Sequence, residues 1–169
     1  MGADKVIILN ARQIEQKIKR IAYQIYENNV NENELIIAGI APNGLVFAEK
    51  LAAILKSISP LKITVASVIL NKKNPLENKI DVSLNADVWT NKPIIITDDV
   101  LNTGKTLVYA IYHFLNQPVK NIQIAVLVDR SHKQFPVNAN YVGLSLATTL
   151  QEHVEVAFNG NGKDIAYLI

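Results

Sequence analysis

Apolar positions along this chain repeat in two rhythms, one of period near two and one near three and a half. Residues 5–9 are a short apolar run and predict a strand. Asn10 follows, with Gln13 three positions on, the pattern of a capping box at a helix start. Ile14, Ile18, Ile21, Ala22 and Ile25 then share one helical face. Lys17, Lys19 and Arg20 lie mostly off that face, on the solvated side. Residues 29–33 are polar and end the helix. Residues 35–40 are a continuous apolar run, which predicts a buried strand. A Pro-Asn-Gly turn at 41–44 leads into an amphipathic helix from Leu45 to about Lys56. Residues 63–70 alternate and are rich in β-branched side chains, again a strand. Residues 80–89 resume the alternation and predict its hairpin partner. Ile94, Ile95 and Ile96 mark a central buried strand, with a helix from about Thr106 to Leu115 beyond it. Residues 122–128 form another buried strand. Short strands are expected at 141–144, 154–158 and 165–168, the last two joined by a Gly/Asn turn into a terminal hairpin.

Strand and helix alternate, so the expected class is α/β, a mostly parallel sheet with helices on both faces. The strand pairs at both ends of the chain are expected to add antiparallel edges. A length of 169 residues predicts one domain, residues 1–169. Hydrophobic content of 49% with 19% charged residues supports a packed core and excludes a disordered chain. A formal charge of +2 is too small to argue for nucleic acid. The absence of cysteine removes disulfides and thiolate metal sites. No apolar run reaches membrane length and the start lacks a signal pattern, so a soluble cytoplasmic protein is expected. Trp89 and His113 read as packing residues, and His153 as an exposed strand end.

Chemistry concentrates after the central strand. Asp98 and Asp99 follow the isoleucines directly, then a polar loop, Asn102-Thr103-Gly104-Lys105-Thr106, opens the next helix. Carboxylates at the C-terminal end of a parallel strand sit where open α/β sheets bind ligands. A loop that opens a helix presents amide N–H groups and the positive dipole end, which suits a phosphate. A nucleotide P-loop would need glycine where Asp99 stands, so that motif fails. The pair and the loop suit a ligand with vicinal hydroxyls, a phosphate on one side and a metal-bound pyrophosphate on the other.

This stretch resembles the phosphoribosyl pyrophosphate signature of the type I phosphoribosyltransferases. Over nearly the whole chain, the resemblance is greatest to the branch of bifunctional pyrimidine-operon attenuation regulators with uracil phosphoribosyltransferase activity. Arg20-Ile21-Ala22, the signature, residues 125–133, Phe135-Pro136-Val137 and Tyr141-Val142-Gly143 carry it. The resemblance implies a central, mostly parallel sheet flanked by helices, with a small hood made from the terminal segments. It implies transfer of a 5-phosphoribosyl group from phosphoribosyl pyrophosphate to a nucleobase, with Mg²⁺ bound mainly through the donor and no protein metal site. Asp98 and Asp99 would hold the ribose hydroxyls and favour the transition state. Asn102, Thr103, Gly104, Lys105 and Thr106 would hold the 5-phosphate. Ala41, Pro42, Asn43 and Gly44 would face the pyrophosphate, and Asp129 and Arg130 would lie near the base. The lysine-rich loop at 71–79 would close over the site as a lid, and the chain would assemble as a dimer.

The chain also departs from that branch. Ala41 and Asn43 stand where it usually places a Lys and an Arg. Tyr23 replaces a histidine, and Asn138 and Leu144 replace basic residues attributed to RNA binding. The segment 66–72 differs throughout. Phosphate contacts dominate RNA affinity, so these losses argue against RNA attenuation. Asn102 occupies a position where purine-type relatives carry an acid, and an amide takes up no proton at neutral pH. A pyrimidine such as uracil is therefore the expected acceptor. An RNA-binding regulator and a weakly active donor-binding sensor are the alternative readings.

Overall fold

The computed structural model describes residues 4–169. In chain order the elements are β1 (Val6–Leu9), α1 (Ala11–Asn28), β2 (Glu34–Ile40), α2 (Asn43–Ile58) and β3 (Lys62–Ile69). Then follow β4 (Asp81–Val82), α3 (Ala86–Trp89), β5 (Pro93–Leu101) and α4 (Lys105–Phe114). The chain closes with β6 (Asn121–Asp129), β7 (Tyr141–Ser145), β8 (Val154–Ala157) and β9 (Ile165–Leu168). The capping box forms as the sequence suggests. Asn10 accepts from the Gln13 amide at 2.9 Å while the Gln13 side chain accepts from the Asn10 amide at 2.9 Å.

Six strands build the central sheet in the order β4-β3-β2-β5-β6-β7. All neighbours run parallel except β3 and β4. The pleat sends alternate residues to opposite faces. Leu35, Ile37, Ile63, Ile95, Ala125 and Leu127 therefore join the buried faces of α1 and α2. Ile36, Ala38, Ile94, Ile96, Ile124 and Val126 pack instead with Leu107, Ala110 and Phe114 of α4. Among the described residues, no helix is long and apolar enough to cross a membrane.

Two expectations need correction. Only Asp81 and Val82 of the segment 80–89 pair with β3; the rest turns away, and Trp89 closes the one-turn helix α3. Its ring meets the Phe114 ring edge-on at 5.2 Å, so burial against α4 outweighs continued pairing. The terminal strands do not extend the central sheet either. They form a sheet of their own, β1-β9-β8, all antiparallel, and the far edge of the central sheet is the parallel strand β7. Helix α1 needs its apolar face covered, and Leu9, Val154, Val156 and Ala166 are buried in the same core cluster as that helix.

The ligand end of the sheet depends on close contact between main chains. A Cβ on Gly44 would lie 2.5 Å from the Thr97 carbonyl oxygen, and one on Gly39 would lie 2.4 Å from Leu45 Cα. Thr97 Oγ1, fully buried, donates to the Gly44 carbonyl at 2.7 Å. The first turn of α2 thus rests directly on β5. Gly44→Ala should cost about 1–3 kcal/mol, the usual penalty for overpacking a rigid interior. Urea titration followed by circular dichroism checks this; an unchanged midpoint would refute the constraint.

Candidate active site

Three parallel strands, β2, β5 and β6, end on the same side of the sheet, and each is followed by a loop that carries polar chemistry. The middle strand supplies the carboxylates. Asp98 is 4% exposed and Asp99 is partly buried. Asp98 Oδ1 accepts from the Asp99 amide at 2.9 Å, and Asp99 Oδ1 accepts from the Val100 amide at 2.8 Å. Burial, and then the neighbouring Asp99 charge, push the Asp98 carboxyl up to about 8. Lys72 Nζ, 3.4 Å from Asp98 Oδ1, only partly offsets them. The lysine comes from the loop between β3 and β4, so that loop reaches the pair.

The turn after β5 makes the second part. Gly104 adopts φ +87, a left-handed conformation that favours glycine, and opens α4. The Thr103 carbonyl accepts from the Gln134 and Phe135 amides at 2.9 and 3.0 Å, which fixes the turn from below. The Lys105 amide donates to Thr103 Oγ1 at 3.3 Å, and the residues that open α4, whose first amides lack intrahelical acceptors, line a cleft of about 250 Å³. Lys72, Asp98, Asp99 and residues 100–107 line it, including all five residues of the expected phosphate loop. Lys105 Nζ turns aside and donates to the Lys73 carbonyl at 3.2 Å.

The remaining expected residues do not line this cleft; they buttress it. On the β2 side, Asn43 donates one amide hydrogen to Asp99 Oδ2 at 2.8 Å and the other to the Val156 carbonyl at 2.9 Å. Both hydrogens are committed, the Ala41 amide donates to the Val68 carbonyl at 2.9 Å and Pro42 has no N–H, which leaves the amides of Asn43 and Gly44, at the start of α2, as the donors of the Ala41–Gly44 turn. On the β6 side, Arg130 donates to Asn102 Oδ1 at 3.1 Å. Asp129 serves its own loop, accepting from the Ser131 amide at 2.8 Å and lying 3.4 Å from Lys133 Nζ. Sequence reasoning missed Thr148, Thr149 and Glu152, which anchor Arg130 from the segment before β8. A Thr-Thr pair in a short loop carries no motif that would have shown this.

The protonated Asp98 has a stability consequence. The folded chain keeps a proton that the unfolded chain releases above 3.8, so stability falls as pH rises from there to about 8. Asp98→Asn removes this dependence. Urea titrations between about pH 5 and about pH 8 should show the native chain losing about 1 kcal/mol per pH unit relative to the variant. Parallel profiles would mean that Asp98 ionises normally.

Comparison with known proteins agrees with this architecture. Residues 6–158 match the phosphoribosyl transferase domain family. The bifunctional protein PyrR of Clostridium novyi is 36% identical over 162 residues, covering 90% of this chain and 89% of that protein. The bifunctional protein PyrR of Macrococcus caseolyticus is 31% identical over 166 residues, covering 90% and 91%. Among solved structures, a hypoxanthine-guanine phosphoribosyltransferase of Bacillus anthracis superposes with a TM-score of 0.74 at 20% identity, covering 96% of this chain and 97% of that one. The hypoxanthine phosphoribosyltransferase of Trypanosoma cruzi gives a TM-score of 0.75 at 16% identity, covering 95% and 94%. With a signature cleft at the end of β5, the shared fold and these relatives along nine-tenths of its length, the chain belongs to the phosphoribosyltransferase family and resembles its bifunctional PyrR branch.

Proposed function

We propose that this chain transfers the 5-phosphoribosyl group of phosphoribosyl pyrophosphate to a pyrimidine base such as uracil. The observation that carries the reading is the buried Asp98–Asp99 pair sharing one cleft with the glycine turn that opens α4. The pair accepts hydrogen bonds from vicinal hydroxyls, and the negative charge it carries favours an electron-poor ribose ring as it develops. The amides of residues 102–106 suit the 5-phosphate. In the transfer, a ring nitrogen of the base bonds to the anomeric carbon. The bond from that carbon to the pyrophosphate oxygen breaks, and its electron pair leaves on pyrophosphate.

Mg²⁺ fits this site as a partner of the donor. It binds through one or two carboxylates together with substrate phosphates, and the donor set here is one carboxylate pair whose charges repel. It would be held mainly by the donor's own oxygens beside Asp98 and Asp99, and it would neutralise the leaving pyrophosphate. The dimer belongs to this proposal and is checked by sedimentation equilibrium.

Incubating the protein with donor, Mg²⁺ and a panel of bases, and following pyrophosphate release, tests the reading. Asp99→Asn should keep the fold and lower kcat by about a hundredfold or more. Unchanged kinetics in that variant would overturn it.

The loop at 71–79 is part of the same proposal. Lys72 already touches Asp98, and Ala41 and Asn43 leave the turn after β2 without a cation. When the donor enters, Lys72 would move from the carboxylate to the pyrophosphate. Lys72→Met should raise the donor KM by about tenfold, the scale of one charge-assisted hydrogen bond, with little change in stability. Donor with Mg²⁺ should also protect this loop from proteolysis. Equal cleavage with and without donor would count against closure.

The relatives are described as bifunctional, and a nucleic-acid role is the second function in question. Tyr23 is 46% exposed where the branch has a histidine, and Asn138 spends its side-chain oxygen on Lys133 at 2.8 Å. Sequence-specific binding of a pyrimidine-operon leader should be absent at physiological salt. A nanomolar complex in a filter-binding titration at that salt would refute this.

A further inference from the structure

Between α1, α2 and the turn that joins β8 to β9 lies a second cavity, of about 550 Å³. It shares no residue with the cleft at the end of β5. Ile14 and Ile18 of α1 and Ile54 of α2 give it an apolar floor. A concavity of this size, apolar within and edged by a few polar groups, suits a small organic molecule.

The polar groups on its rim narrow the choice. Lys50 Nζ lies 3.1 Å from Asp164 Oδ2 and 5.8 Å from the centroid of the Phe158 ring, so it ties α2 to the hairpin. The Gly160 amide also donates to Asp164, at 2.8 Å. Arg12 and Glu15, both exposed, line the cavity from α1. These four charged side chains cancel, two against two. The turn then tips the balance. Gly160, Asn161 and Gly162 follow one another at φ +68, +50 and +71. The Asn161 and Gly162 amides find no acceptor among the described residues. Successive amides in such a turn form a concavity for an anion. Two cations and two spare amides, held in check by two carboxylates, suit one negative charge and resist several.

We infer that this cavity is a binding site for a small organic monoanion with an apolar body. The body rests on the isoleucine floor, and the charge sits between Lys50 and the turn amides. Such a ligand spans α1, α2 and the hairpin. Two turns before Lys50 on α2, Asn43 donates to Asp99 Oδ2 and to the Val156 carbonyl of β8. The helix and hairpin that wall the cavity are therefore the ones that brace the carboxylate pair, and a bound ligand clamps them together.

The probe is anilinonaphthalene sulfonate, an aromatic body with one sulfonate. It is compared with phenylnaphthylamine, the same body without the charge, and with pyrene tetrasulfonate, which carries several. Fluorescence titration of the native chain should give one site for the monoanion, with a Kd on the order of 10 µM. The other two should bind at least about tenfold more weakly. Lys50→Met should weaken the monoanion about tenfold. Ala53→Trp, which fills the cavity from an exposed position on α2, should abolish its binding. With the probe at about ten times its Kd, amide exchange in β8 and β9 should slow about tenfold, because openings that break the cavity lose the ligand. If Lys50→Met does not fold, Ala53→Trp and the exchange decide. Native affinity in both variants, or exchange unchanged at saturation, overturns the inference. Equal affinity for the uncharged body overturns the assignment to an anion. A native dimer that binds no probe and that Ala53→Trp turns into a monomer gives this face to a second copy, and the inference fails. None of these readouts uses base transfer, so the proposed reaction can fail while this site stands.

Discussion

The site exists because the first turn of α2 lies directly on β5, with no side chain between them. Gly39, Gly44 and Thr97 make that contact from main-chain atoms and one buried hydroxyl. A methyl group at Gly44 would meet the Thr97 carbonyl oxygen at 2.5 Å and lift the helix away from the strand. Lifting the helix would carry off the N-terminal amides of α2 and the Asn43 amide that holds Asp99. It would also release the Val156 carbonyl, and with it the small sheet β1-β9-β8. Close packing here sets the distance between the carboxylates and everything that surrounds them.

Within that frame the site is short of positive charge. Two adjacent carboxylates occupy the end of β5, and one of them stays protonated to about 8 because burial and its neighbour outweigh Lys72. The turn after β2 adds no cation, and Asn43 spends its amide hydrogens on the protein itself. Lys105 is tied to the Lys73 carbonyl, and Arg130 is buried against main-chain oxygens. The cation set against the pair is Lys72, 3.4 Å from Asp98 and drawn from the loop between β3 and β4.

Much of this was legible in the chain. The capping box at Asn10, the isoleucine run before Asp98 and the glycine turn at 104 are short-range signals, and each appears where the sequence places it. The terminal strands were legible as strands but not as a separate sheet. Strand pairing between residues more than 150 positions apart leaves no local trace. Residues 80–89 read as one alternating strand because Ile80, Val82, Leu84, Ala86 and Val88 are apolar at every second position. In fact Ala86 and Trp89, three apart, share the inner face of a single helical turn, too short a stretch to stand out against that alternation. At the site, the residues named from the signature do line one cleft. Those named from neighbouring loops act at second hand, through Asn43 and Arg130. The anchoring of Arg130 by Thr148 and Glu152 was invisible, since main-chain carbonyls carry no sequence identity.

The pairing of β1 with β9 also sets an order of events during synthesis. Val6 and Ile7 find their partners in Leu168 and Tyr167, nearly the whole chain away. Closing so long a loop is slow compared with local pairing, and on the ribosome it must wait until β9 emerges. The core strands β2, β3, β5 and β6 can assemble earlier, because every partner they need has already been made. Asn43 meets the Val156 carbonyl only after β8 is in place, so the carboxylate pair receives this support after β2 to β7 have been made. A growing chain would therefore carry a formed sheet before its carboxylate pair is fully supported, a delay between folding and competence.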